Sequence, residues 1–320
     1  PWSNTKTKHG LDADLVISAL QKCIRRGDEA TAMRMAYELY VTSTFHEEKM
    51  WNRLLVIPIE DIGFGDITTD FLYKEEDTIT ACLNTRVDAV ICGLNIFKKV
   101  FELLSDKVQI EMLYKDGDFA PKGSTIAKIT GPARAVLTGE RTALNYVQRM
   151  SGIATETRKY QEAIKTYKAS VTDTRKNTPG FRMFEKYAVM TGGARLHRFN
   201  LCDCVMIKDN HIKHAGSITN AVNMIKKELS HAHKIEVECD TFAQVQEAVS
   251  AGCDIIMLDN MTIADMKKCV DFINKRAIVE ASGNVKINTI NEIASTGVDV
   301  ISTSAIVAQA PVLDLGLDIS

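Results

Sequence analysis

The sequence predicts an α/β protein in which an α/β barrel follows an N-terminal α+β sandwich domain. Three observations predict it. Short apolar strands alternate with helical stretches beyond residue 135, polar residues cluster where those strands end, and a β-rich segment punctuated by Gly and Asp precedes them. Repeated βα units with short links call for parallel strands. No G-x-G-x-x-G follows any of the strands, which removes the usual support for an open dinucleotide-binding sheet and favours a barrel, TIM-like whether or not it is complete.

Residues 11–56 place Leu15, Ile17, Leu20 and Ile24, then Ala32, Met35, Ala36 and Leu39, at helical spacing, with Gly27-Asp28 as a break. This predicts a helical segment over 1–57. From Pro58 the pattern turns to strands at 78–83, 89–92, 108–113 and 125–129, interrupted by one helix at 94–104 and by turns such as Lys115-Asp116-Gly117-Asp118. That is the α+β domain, 58–135, to which the tail 306–320 is expected to return. The barrel, 136–305, has strands predicted at 169–172, 205–207, 235–237, 255–258, 277–279 and 300–302, with helices at 181–190, 219–229, 241–250, 263–272 and 289–294. Ser250 to Ile256 and Ser295 to Ile301 echo one another: each ends a helix at a glycine suited to the left-handed conformation and starts a strand three residues later. Thr241 and Gln244 have capping-box spacing.

The formal net charge of −2 gives no global attraction to nucleic acid or to an anionic membrane. No apolar run approaches the ~18 residues that span a bilayer, and Pro-Trp-Ser-Asn at the start carries no apolar h-region, so a cytoplasmic protein is expected. The eight cysteines show no C-x-x-C pair and read as reduced thiols; Cys202 and Cys204, two residues apart, are weak candidates for a metal pair.

Barrel enzymes place their working groups at the C-terminal ends of the strands. Those ends read Thr174-Arg175-Lys176, Lys208-Asp209-Asn210-His211, Glu238, Asp259-Asn260, Ser282-Gly283 and Thr303-Ser304. Residues 175–214 hold eight Lys or Arg against three acids, with His197, His211 and His214 beside them, which suits a polyanionic ligand. Arg182, Lys186 and Arg195 are expected on the solvated face of a helix. Glu238 and Asp259 would repel a polyanion unless they hold Mg²⁺, bind sugar hydroxyls or face a developing positive charge. Glu236 shares the strand face of Glu238 by the two-residue period, and the pattern does not separate them. Ser282-Gly283 and Thr303-Ser304 fall where barrels often hold a phosphate.

Four segments, Glu140 to Asn145, Ser151 to Thr155, Thr174 to Gly180 and Lys208 to His211, together resemble the signatures of the quinolinate phosphoribosyltransferase family, and Glu60 to Thr69 resembles its N-terminal motif. The resemblance implies transfer of a phosphoribosyl group from phosphoribosyl pyrophosphate to the ring nitrogen of quinolinate, with decarboxylation to nicotinate mononucleotide. It implies that Arg175, His197, Arg198 and Lys208, beside Thr174, bind quinolinate, and that Lys176 faces the pyrophosphate. Glu238 and Asp259 would hold ribose hydroxyls and Mg²⁺, and Ser282, Gly283 and Ser304 the 5′-phosphate. The catalytic set implied is Lys176, Lys208, Glu238 and Asp259. The family also implies a homodimer in which Arg141, which the sequence alone places near a helix start, completes the neighbouring site. One departure is Ser304, where many members have glycine. Alternative readings are a degenerate member that binds anions without turnover and a Schiff-base barrel aldolase using Lys176 or Lys208.

Overall fold

The computed structural model describes residues 66–319, with positions 6, 7, 9, 11–13, 15, 16 and 19. Most of the helical segment expected over 1–57, and the Glu60 to Gly65 part of the N-terminal motif, lie outside the described residues.

Helix α1 (Ile67–Leu72) starts at Asp66, whose carboxylate accepts the Thr69 amide at 3.1 Å. An antiparallel sheet follows, in the order β12 (Leu315–Ile319), β1 (Thr78–Thr85), β5 (Thr125–Pro132), β3 (Gln109–Met112). The short strands β2 (Ala89–Val90) and β4 (Phe119–Ala120) pair beside it. Helix α2 (Leu94–Leu104) keeps the bounds read from the sequence and buries Leu94, Phe97, Val100 and Phe101, one helical stripe. Its first turn is held by Asp116, whose two carboxylate oxygens accept the amides of Gly93 and Leu94 at 3.0 Å each.

Helix α3 (Ala133–Ala163) then runs 31 residues and belongs to both cores. Val136, Ala143, Leu144 and Val147 pack into the first, and Met150, Ile153, Ala154 and Tyr160 into the second. Arg141 therefore lies well inside a helix, not near its start. Gly139 and Gly152, which interrupt the apolar pattern in sequence, are points of close approach: a Cβ on Gly152 would stand 1.8 Å from the Pro311 carbonyl oxygen.

The second sheet is parallel throughout, in the order β7 (Val205–Ile207), β8 (Ile235–Cys239), β9 (Ile255–Asp259), β10 (Ile278–Ser282), β11 (Val300–Ser302), β6 (Ser170–Thr172). β6 and β7 do not pair, so the barrel is incomplete, with a seam between them. The strip 194–198 runs along that seam: Thr172 bridges Arg195, whose amide donates to the Val171 carbonyl at 2.9 Å. That the sheet curls is seen at His197, which sits beside β6 yet lies 3.3 Å from Glu280 on β10 and 3.8 Å from Glu236 on β8.

Helices α4 (Arg182–Thr191), α5 (Asp209–Ala215), α6 (Ile218–Glu228), α7 (Phe242–Ser250), α8 (Ile263–Ile273), α9 (Ile290–Ala294) and α10 (Ala305–Ala308) complete the barrel layer. Thr241 and Gln244 make the capping box read from the sequence, and Gly252 and Gly297 take φ of +70° and +91° where their helices end. Strand β10 extends three residues beyond the predicted 277–279, which brings Ser282 into the sheet itself. Among the described residues, no helix is long and apolar enough to cross a membrane.

Candidate active site

The period-two alternation of the parallel strands turns Glu236 and Glu238, Met257 and Asp259, and Glu280 and Ser282 towards the inside of the barrel. Their outward neighbours, among them Val237, Ile256, Val279 and Ala281, are buried in the apolar core. The inward residues nearest the strand ends open into a cleft of about 710 Å³.

Eleven of the twelve predicted site residues line this cleft. After β6 come Thr174, Arg175 and Lys176; the seam strip supplies His197 and Arg198; Lys208 follows β7. Glu238 is the penultimate residue of β8 and Asp259 the last of β9, while Ser282 closes β10 and Gly283 and Ser304 follow β10 and β11. Arg141 is the exception: it is exposed on α3 and does not line the cleft.

Charges on the two sides already meet. Lys208 Nζ lies 2.5 Å from Glu238 Oε2, an ion pair spanning the ends of neighbouring strands. Arg175 Nε and Arg198 Nε are buried without a hydrogen-bond partner, unspent donors beside the cleft. Arg198 is otherwise fixed, its Nη1 donating to the Cys204 carbonyl at 2.8 Å.

On the opposite wall the backbone makes a cradle. Gly283 (φ +89°) and Asn284 (φ +51°) occupy the left-handed region in succession, the kind of turn that points amides into an anion-binding hollow; Asn260 (φ +52°) shares that conformation and spends its own amide on the Ser282 carbonyl at 3.0 Å. A Cβ on Gly283 would stand 2.2 Å from Asn260 Oδ1 and 2.9 Å from its backbone nitrogen, so only glycine fits. Asn260 links the cradle to the carboxylate, donating to Asp259 Oδ2 at 2.7 Å and accepting from Asn284 Nδ2 at 2.9 Å. Ser304 takes φ −80°, ψ −13°, an ordinary right-handed conformation, so serine carries no backbone strain there.

Glu236 and Glu238 separate by depth. Glu238 reaches the cleft, whereas Glu236 lies one layer below it and faces His197. Burial pushes the Glu236 carboxyl up, against the lowering pull of His197. Burial alone would lower the His197 pKa, but Glu236 and Glu280 outweigh it and carry it to about 9. The Arg198 amide nevertheless donates to His197 Nδ1 at 2.8 Å. That contact engages Nδ1 and leaves Nε2 as the nitrogen that faces the two carboxylates.

Lys186 corrects the expectation of a solvated cation. It is 1% exposed, its Nζ 2.7 Å from Asp173 Oδ2 and 3.1 Å from the His197 carbonyl. Asp173 in turn accepts the His197 amide at 2.8 Å. Arg182 is also engaged, donating to the Asn177 side chain and the Phe199 carbonyl, while Arg195 is exposed as expected but lies on the seam strip and not on a helix. Beside them the buried Glu185 pairs with Arg149 at 3.0 Å and accepts from the amide and hydroxyl of Thr178, bracing the loop after β6. The sequence reading missed Asp173, Glu185, Glu280 and Asn284. Asp173 and Asn284 each adjoin a predicted site residue, a signal that was available; Glu185 and Glu280 left none beyond their charge. The described cysteines are free thiols, and Cys202 and Cys204 form no metal cluster.

Comparison with known proteins agrees with this geometry. The N-terminal domain of quinolinate phosphoribosyl transferase matches residues 66–151 and the C-terminal domain residues 153–318. A probable nicotinate-nucleotide pyrophosphorylase [carboxylating] from Synechocystis is 43% identical over 81% of this chain and 89% of its own length. The corresponding Bacillus subtilis protein is 40% identical over 82% and 90%. The crystal structure of nicotinate-nucleotide pyrophosphorylase from Ehrlichia chaffeensis superposes with a TM-score of 0.80 at 41% identity, covering 86% of this chain and 98% of that one. With both domains matched, the chain belongs to the quinolinate phosphoribosyltransferase family.

Proposed function

We propose that this chain joins quinolinate to the ribose carbon of phosphoribosyl pyrophosphate and releases CO₂, giving nicotinate mononucleotide and pyrophosphate for NAD biosynthesis. The observation that carries the reading is one cleft with a cationic wall, Arg175, Arg198 and Lys208, facing two carboxylates and a backbone cradle.

Arg175, Arg198 and Lys208 bind the two quinolinate carboxylates and hold the ring nitrogen towards the anomeric carbon. As the bond to pyrophosphate breaks and the bond to nitrogen forms, positive charge grows on the sugar, and Glu238 and Asp259 stabilise it. Lys176, exposed at the cleft edge, meets the leaving pyrophosphate. The Ser282-Gly283 cradle and Ser304 take the 5′-phosphate on backbone amides. The electron pair left when the adjacent carboxylate departs as CO₂ stays on the ring carbon, where the neighbouring nitrogen, now cationic, stabilises it, and that carbon then takes a proton. His197 differs from the role implied by the resemblance. With Nδ1 occupied by the Arg198 amide and Nε2 directed at Glu280, its ring serves the wall and not the ligand.

Glu238 and Asp259 end neighbouring strands and fit Mg²⁺ bound in the usual shared manner, by one or two carboxylates with substrate oxygens and waters. When bound, that ion neutralises pyrophosphate as a leaving group. Arg141 lies away from its own cleft, so its part in catalysis requires a second copy of the chain, a homodimer in which each helix α3 completes the other site.

The test is product formation from quinolinate, phosphoribosyl pyrophosphate and Mg²⁺, with nicotinate in parallel. Nicotinate mononucleotide and CO₂ from quinolinate alone support the reading; quinolinate binding without turnover refutes it.

A further inference from the structure

Barrel interiors are ordinarily filled by branched apolar side chains. One layer below the mouth, this one holds two carboxylates, Glu236 at 1% and Glu280 at 4% exposure. An ionised carboxylate is costly to bury unless a partner offsets the lost hydration. Oε1 of each lacks a hydrogen-bond partner, and both oxygens face one atom, Nε2 of His197, at 3.8 and 3.3 Å. Neither glutamate lines the cleft.

His197 belongs to the strip that fills the barrel's seam. Its amide is held by Asp173, its carbonyl by Lys186, and its Nδ1 receives the Arg198 amide. The ring ties the strip to β8 and β10 inside the barrel, and Arg198, the next residue, reaches Met206 on β7. The charged groups acting on this ring and its carboxylates are Glu236 from β8, Glu280 from β10, Asp173 after β6, and Arg198.

We propose that Glu236 and Glu280 are positioning residues for quinolinate recognition: by holding the Nε2–H of His197 they pin the seam strip against the barrel and fix the direction in which Arg198 presents its guanidinium. The proposal rests on the reaction assigned above. The three donor atoms also lie within 4.8 Å of one another, a spacing open to a metal ion. Arg198, whose charge reaches Glu236, already supplies the positive charge that such an ion would bring.

Nitrogen-15 NMR of the histidine-labelled full-length protein, without substrate, tests the first link. The expected His197 spectrum has a protonated Nε2 whose proton exchanges slowly with water. In the Glu236→Gln/Glu280→Gln variant that signal moves and exchanges faster. Steady-state kinetics test the second link: either single glutamine variant raises KM for quinolinate about tenfold, the effect of weakening one charge-assisted hydrogen bond, and leaves KM for phosphoribosyl pyrophosphate in place. A bare Nε2, one equivalent of metal in the purified protein, or equal rises in both KM values overturns the proposal. Should the double variant not fold, the wild-type spectrum and metal content decide it. Both are read without turnover, so this proposal and the assigned reaction fail separately.

Discussion

Replacing Lys186 by methionine keeps the stem and removes the charge that Asp173 was built around. The pair is 2.7 Å apart with side chains 2% and 0% exposed, and the same ammonium holds the His197 carbonyl. Afterwards Asp173 keeps the His197 amide, one neutral donor, inside a site closed to water. Removing one partner of a buried pair costs about 3–5 kcal/mol, and at 1.4 kcal/mol per factor of ten that lowers the folded-to-unfolded ratio roughly a hundred- to several-thousandfold. Urea unfolding followed by fluorescence is expected to show a midpoint about 1.5–2.5 M lower, taking m near 2 kcal/mol/M. The loss also has a sign in pH. Burial already pushes the Asp173 carboxyl up, with Lys186 opposing it; without Lys186 it rises further, so the folded variant binds the extra proton and loses stability as pH rises through that range. Arg195→Met, on the exposed side of the same strip, is the control and stays within about 0.5 kcal/mol. If Lys186→Met lost no more than that control, the buried pair would not be what holds the strip.

Gly283→Ala, whose Cβ would stand 2.2 Å from Asn260 Oδ1 at φ +89°, is expected to raise KM for phosphoribosyl pyrophosphate by about tenfold or more while quinolinate affinity, measured by calorimetry, holds. EDTA is expected to abolish turnover and excess Mg²⁺ to restore it, with no change in melting temperature, because Glu238 and Asp259 have internal partners in Lys208 and Asn260. Among the described cysteines, native alkylation near about pH 8 followed by peptide mass spectrometry should mark Cys202, the exposed one, first; burial pushes the Cys253 thiol up to about 11 and keeps it unreactive.

The parallel strands were legible because each is a short apolar run closed by a polar group, and the mouth of the barrel collects those closing residues. Thr174, Lys208, Glu238 and Asp259 could be named before their geometry was known for that reason alone. Helix α3 was not legible, because Gly139 and Gly152 read as interruptions when they are the places where Phe101 and Pro311 press against the helix. Lys186 misled for a related reason: a lysine on a helix carries no local sign of burial, and its partner lies on the loop after β6. Depth inside the barrel was equally hidden, since Glu236 and Glu238 share one face and differ only by a layer.

Strand β12 joins the first sheet from the far end of the chain, and the Asn84 amide meets the Asp318 carboxylate across 234 residues of sequence. During synthesis the first sheet therefore waits, with one side of β1 unpaired, until residues 315–319 leave the ribosome. Loss of residues 315–319 is then an injury to the first domain, and it leaves a bare strand edge of the kind that seeds association between nascent chains.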